Sequence, residues 1–358
     1  MYYKPNILEI IKRYELLWSR EYKDRILVKI RIKNPENYPV MEAMSKAPNF
    51  EAMLEEWEKG FNISKEIDDD NLPVLYGEMG SYIIGGFFGA KVRWGTGGAY
   101  SEPLIKDINN FENLLNFSSD NEYYKLQISF LKFLKEKSKD KFGFTEMLAI
   151  DGLNFLDCIR GVNAYTDILD FPRKAIKIMD FGSKFNIDFI KKQREIIKPF
   201  HDGRFNFYQI WTPKETIFLS VDAYGNCSND VFEKFGRKYI QNLIDEFNGG
   251  WLHVHSDAIR LLPNYIKLNK LIAIGFEDWI KSPRIIDIID DVKLIVKDIP
   301  LMVNINKEEI IQKIKDKTLP GNILYWVDGV QSIDEANMIA SICKKYKAPY
   351  INKYKFIN

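Results

Sequence analysis

Trp251-Leu252-His253-Val254-His255 has the period of a short β-strand with two unlike faces. Successive side chains of a strand point to opposite sides, so Leu252 and Val254 share one face while Trp251, His253 and His255 share the other. Comparable apolar runs recur at Arg25 to Ile32, Ala90 to Trp94, Phe144 to Asp151, Ile217 to Asp222, Leu271 to Gly275, Pro300 to Ile305 and Asn322 to Asp328. Longer segments of helical period separate them. Eight strands alternating with helices predict an α/β fold with parallel strands and helical crossovers, and 358 residues fit one (β/α)8 barrel. No linker or low-complexity tract divides the chain, so it is expected to form a single domain over 1–358. Within it, 1–70 supply the first strand plus N-terminal helical additions that cover one end or side of the barrel.

Two helix starts are legible. Asp170-Phe171-Pro172 combines a capping residue with a proline suited to a first turn, and predicts a long helix toward Lys198. Ser332 and Glu335 have capping-box spacing, and Ala336, Ile339, Ile342 and Cys343 then form an apolar face, which makes Cys343 a core residue.

Composition narrows the function classes. Hydrophobic residues at 46% and aromatics at 14% support a large core. Lys plus Arg (51) nearly cancels Asp plus Glu (50), so the field that attracts nucleic acid is missing. Cys158, Cys227 and Cys343 are too scattered for a disulfide framework, which suits a reducing, cytoplasmic location. The N-terminal stretch mixes acidic and basic residues on a helical period and does not read as a signal peptide. No run approaches the roughly 20 apolar residues of a membrane span.

The same period-two test sorts the other strands. Ile26, Val28, Ile30 and Ile32 oppose Lys29 and Arg31, and Leu219 and Val221 oppose Ser220 and Asp222. Met147, Ala149 and Asp151 share a face, as do Met302 and Asn304, and Leu324, Trp326 and Asp328. Asp151, Asp222, His253, His255, Asn304 and Asp328 thus collect at strand C-terminal ends, where barrel enzymes place their chemistry. Any one aspartate could equally cap a helix or a loop; the set favours a site. Two of the chain's three histidines lie one residue apart here, and such a pair can share a metal, hold an anion, exchange protons or simply hydrogen-bond structurally. His201 reads as a turn residue. Gly77-Glu78-Met79-Gly80 and Gly95-Thr96-Gly97-Gly98-Ala99-Tyr100 lack the strand-to-helix context of a phosphate loop and read as loops, the second a tight turn or lid. Glu78 is an outlying ligand candidate. No G-x-S-x-G element is present.

From Pro73 to the C-terminus the chain resembles the uroporphyrinogen decarboxylase superfamily, which includes corrinoid-linked methyltransferases. The resemblance lies in Leu156-Asp157-Cys158-Ile159-Arg160-Gly161 leading to Tyr165 through Pro172, in Ser220-Val221-Asp222 through Phe232-Glu233-Lys234-Phe235, and in Trp251-Leu252-His253-Val254-His255-Ser256. It implies a (β/α)8 barrel with a deep C-terminal cleft. The decarboxylase's arginine-rich substrate loop is missing. Arg93-Trp94-Gly95-Thr96 stands where its F-S-D element belongs, and Val327-Asp328-Gly329-Val330 where its G-H-G belongs. The methyltransferase branch is nearer: its His-x-Cys zinc pair falls on His253 and His255, with histidine in place of cysteine.

Three readings follow from the resemblance. In the first, a methyltransferase-like enzyme uses His253 and His255 to hold zinc or another divalent metal, with Asp222, Asp328 or Glu78 as the further ligand candidate, or to position substrate. Asp222, Asp328 and Asp151 act as orienting or acid/base groups, and a corrinoid arrives on a partner protein. In the second, a lyase holds a carboxylated substrate with Lys29, Arg31 or Arg93. In the third, a noncatalytic barrel binds a ligand or a corrinoid protein. Trp94, Trp251 and Asn304 complete the expected wall for a small-molecule substrate, and a homodimer is the expected assembly.

Overall fold

A computed structural model describes residues 1–32, 39–213 and 215–349. Eight parallel strands follow one another around a ring: β1 (Ile26–Ile32), β2 (Val74–Leu75), β3 in two pieces (Gly143–Phe144 and Ala149–Ile150), β4 (Ile217–Ser220), β5 (Gly250–His255), β6 (Leu271–Glu277), β7 (Leu301–Asn306) and β8 (Ile323–Val330). The main sheet runs β1-β8-β7-β6-β5-β4-β3, and the first piece of β3 pairs with β2. Helices between consecutive strands cover the outside, among them Glu122–Ser138, Pro172–Ile196, Arg237–Glu246 and Ile333–Lys345. This is the (β/α)8-barrel arrangement.

Two aspartates join β1 to the approach of β2. Asp70 Oδ2 accepts the Val28 N–H at 2.8 Å and Asp69 Oδ2 the Ile30 N–H at 2.9 Å, while the Asp70 N–H donates to the Val28 carbonyl at 2.8 Å. The strand edge thereby keeps its buried amides paired, as a folded interior requires. Lys4 Nζ, 2.9 Å from Asp69, and Arg13 Nε, 2.6 Å from Asp70, neutralise these carboxylates from the N-terminal segment.

Ala90 to Trp94 is not the second barrel strand. Val92–Gly95 pairs antiparallel with Gly98–Ser101 in a hairpin outside the ring. The actual β2 has two residues, too few to display a period. The expected third strand is interrupted between its pieces, where Gln193 Oε1 accepts the Met147 N–H at 2.9 Å and Glu78 Oε2 the Leu148 N–H at 2.8 Å. Side chains there do the work of a ladder.

Pro172 does open the long helix, but Asp170 ends the preceding one and Phe171 occupies the cap position. Ser332 caps its helix by accepting the Glu335 N–H at 3.2 Å, and Cys343 is buried.

The lower end of the barrel is filled from below. Ile10, Ile11, Tyr14 and Trp18 of the helix Ile7–Trp18 pack with Leu27, Phe218, Trp251, Met302 and Leu324 inside the ring. A second hairpin, Gly203–Phe205 with Trp211–Pro213, carries Tyr208 and Ile210 into the same cluster. The Trp18 indole N–H donates to the Trp211 carbonyl at 2.7 Å and ties the two plugs together. Gly275 leaves room for Trp251: a Cβ at 275 would lie 2.0 Å from the indole ring. Among the described residues no helix is long and apolar enough to cross a membrane.

Candidate metal centre

β4 and β5 lie side by side in register, His253 opposite Ser220, so the chain that leaves β4 passes directly over the end of β5. The turn Asp222–Asn226 starts there. Asn154 fixes it, accepting the Ala223 N–H at 3.2 Å and donating to the Ser220 carbonyl at 3.3 Å. Asp222 Oδ1 consequently stands 3.4 Å from His253 Nε2 and 3.5 Å from His255 Nε2, and the two Nε2 atoms are 3.0 Å apart. Alternation on β5, legible in the sequence, places both rings on the inner face.

These separations suit a metal's inner shell. Ligands about 2.0–2.1 Å from one ion lie roughly 3.3–3.4 Å apart at tetrahedral angles and about 3.0 Å apart at right angles. Asp222 Oδ1 is buried and has no hydrogen-bond partner. Burial pushes the His253 imidazole below its ordinary pKa, against the pull of Asp222, and so favours the neutral form that ligates metals. Two imidazoles and a carboxylate are an established catalytic zinc or iron donor set.

The plug below reaches this cluster. The Tyr208 hydroxyl is hydrogen-bonded to His253 Nδ1. Burial and the neighbouring Glu277 raise the phenol well above its ordinary pKa. A tyrosine that keeps its proton and donates it in a hydrogen bond to Glu277 can accept the Nδ1–H of His253, which would leave the Nε2 lone pair facing Asp222 and His255. Asn206 Oδ1 accepts the Tyr208 N–H at 2.9 Å, and Lys29 Nζ donates to the Tyr208 carbonyl. On the solvent side the Trp279 ring meets His255 edge-on, centroids 4.7 Å apart.

The remaining expected site residues lie elsewhere. Asp151 is a helix cap: its Oδ1 accepts from the Asn154 N–H at 2.9 Å and side chain at 3.0 Å, and burial pushes its carboxyl up to about 6. Asp328 lies 3.3 Å from Arg31 Nε, and Arg31 stacks 4.2 Å over Trp326. Asn304 Nδ2 donates to Glu277 at 3.1 Å. Arg93 pairs with Glu102 on the outer hairpin, where Trp94 is exposed. Trp251 is wholly buried beneath the histidines. Glu78 is buried in the wall of a cavity of about 610 Å³ that also reaches Asp222. Glu78 is not among the three residues whose ligand atoms converge.

Sequence reasoning missed Tyr208, Glu277 and Asn154. Phe205-Asn206-Phe207-Tyr208-Gln209-Ile210-Trp211 was the available signal for the first, an aromatic-rich run with no helical period between a helix and a strand. Such a run belongs in an interior.

No family model and no curated protein matches the sequence. Among solved structures the chain is similar to a methyltransferase from Methanosarcina mazei, with a TM-score of 0.60 over 94% of this chain and 98% of that one. Sequence identity is 11%, so the likeness establishes a shared fold along nearly the whole length of both chains.

Proposed function

We propose that the protein is a metal-dependent, methyltransferase-like enzyme whose divalent ion, zinc by preference, is held by Asp222, His253 and His255. The observation that carries this reading is the convergence of three ligand atoms within 3.5 Å of one another, one of them a buried carboxylate oxygen without a hydrogen-bond partner. The fold likeness to a methyltransferase supports the reaction class. A bound zinc ion would lower the pKa of a thiol acceptor and keep it as the nucleophilic thiolate. This chain's own residues orient the centre: Tyr208 sets the His253 tautomer, Asn154 holds the Asp222 turn and Trp279 limits water at His255.

A corrinoid carried by a separate protein fits as methyl donor. Trp94, Tyr100, Trp279 and Ile280 are exposed large side chains, and Tyr100 and Trp279 adjoin the cavity and His255 respectively. Such apolar surface suits a flat macrocycle presented by a partner. The lyase reading has less support, because the cations expected to clamp carboxylates are already engaged: Arg31 with Asp328, Arg93 with Glu102 and Lys29 with the Tyr208 carbonyl.

Elemental analysis of the purified protein tests the proposal. Near-stoichiometric zinc, lost in His253→Ala and His255→Ala, is expected. Wild-type protein that takes up no divalent metal on dialysis against zinc would overturn it.

A further inference from the structure

We propose that Arg260 is a positioning residue of the metal centre: its guanidinium ties the segment that carries His253 and His255 to the turn that carries Asp222. This role rests on the reading of those three residues as metal ligands. Asp222 itself creates the need for such a tie. Its side chain is 40% exposed, and Oδ1, the atom that faces both imidazoles, has no hydrogen-bond partner. Packing and side-chain bonding therefore leave this carboxylate to be placed by its backbone. The histidines ride on β5, whose main chain is fixed by pairing with β4 and β6. Asp222 lies past the end of β4. The Val221 N–H still reaches the His253 carbonyl, at 3.4 Å, and beyond it the chain leaves the sheet in the turn Asp222–Asn226.

Asn154 holds the near side of that turn, and two side chains hold the far side. The buried Tyr224 ring meets Phe232 edge-on, centroids 5.3 Å apart, beside the single π-turn Phe232–Gly236. Gly236 leaves the ring its room, since a Cβ there would lie 2.7 Å from it. Arg260 fixes the main chain. Its Nη2 donates to the carbonyls of Tyr224 at 3.2 Å, Gly225 at 2.7 Å and Cys227 at 2.5 Å, so two N–H groups are shared among three acceptors. Its Nη1 donates to the Asp257 carbonyl at 2.6 Å, inside the turn Ser256–Leu261 that directly continues β5. A charged donor makes these bonds stronger than an amide would. The planar fork thus spans the two turns that leave β4 and β5, which a lysine, with one nitrogen on a flexible stem, cannot do in the same geometry. Arg260 is exposed, so its removal leaves the apolar packing of both turns in place.

Chelator competition for zinc and the visible absorption of the cobalt-loaded protein read this role, and the thermal midpoint of the metal-free protein reads the fold. Arg260→Ala should bind zinc about tenfold more weakly, the effect usual for losing a group that orients ligands from outside the ligand set. Its cobalt spectrum should change, and its metal-free midpoint should stay close to that of the wild type. Arg260→Lys should recover only part of the affinity. Wild-type affinity and spectrum in Arg260→Ala would overturn the role and leave the metal centre standing. A weakened affinity that comes only with a comparable fall in the metal-free midpoint would overturn it as well, because general loosening of the fold would then suffice. If Arg260→Ala fails to fold, Arg260→Lys carries the test, and a wild-type zinc affinity there sinks the role. Wild-type protein that takes up neither zinc nor cobalt would overturn the metal centre, and this role with it.

Discussion

The two halves of the barrel mouth use similar side chains to opposite effect. On β1, β6, β7 and β8, Lys29, Arg31, Glu277, Asn304 and Asp328 engage partners of complementary kind: carboxylate with guanidinium, amide with carboxylate, ammonium with a carbonyl. On β4 and β5, Asp222, His253 and His255 turn ligand atoms toward one another, and a carboxylate oxygen is left without a donor. Polar residues at strand ends therefore do not make a site by their number. What distinguishes the second half is that three metal-ligating atoms, two imidazole nitrogens and a carboxylate oxygen, converge on one point, where a cation could join them.

The strongest way to break this comparison is to neutralise one aspartate in each half. Asp222→Asn should cost on the order of a hundredfold or more in zinc affinity, since a charged ligand is lost. Asp328→Asn should retain the metal. Competition with a chelator of known affinity measures both, and equal zinc loss in the two variants would mean that the halves are not distinct.

Lys29 is the costly member of the paired half. Burial pulls its ammonium down to about 7 from an ordinary 10.5. Below pH 7 the lysine is charged folded and unfolded, and the full cost of burying the charge is present. Between 7 and 10.5 the unfolded chain holds a proton that the folded chain has released, so stability rises with pH across that window. Lys29→Met should accordingly stabilise the protein most at pH 6, by a few kcal/mol at most, roughly, and progressively less toward pH 10. Urea unfolding of both proteins, stripped of metal, at three pH values reads the difference. A gap that stays constant with pH would place the lysine's proton outside the balance.

How far the sequence carried the reading depends on strand length and on which element delivers a residue. The six-residue β5 shows its alternation, so the histidine pair and its shared face are legible from residue types alone. Asp222 is legible too, because it follows a strand with a clear period. The two-residue β2 is not, and the nearby Arg93-Trp94 run imitates a strand because a hairpin alternates as well. Asp151 and Asp328 occupy the same kind of position as Asp222. Only their partners, Asn154 and Arg31, assign them to capping and pairing. Tyr208 comes from below the ring, across 45 residues of sequence from His253, and no local pattern announces such a contact.

Tyr208→Phe sharpens the comparison by touching the link between the halves, since the hydroxyl bonds His253 while its main-chain carbonyl holds Lys29. The ring and the backbone remain, so the barrel should stay folded and the metal should still bind, but about tenfold more weakly, the usual effect of removing an outer partner of a ligating histidine. Unchanged zinc affinity would show that the tautomer is set without the tyrosine. The smallest effect belongs to Arg93→Ala. Its partner Glu102 sits with it on the exposed hairpin, and such surface pairs contribute little in water. Zinc content and the thermal midpoint should both match the wild type, and a loss of metal in this variant would show that the hairpin, which lines the cavity through Gly95 to Tyr100, also supports the metal ligands.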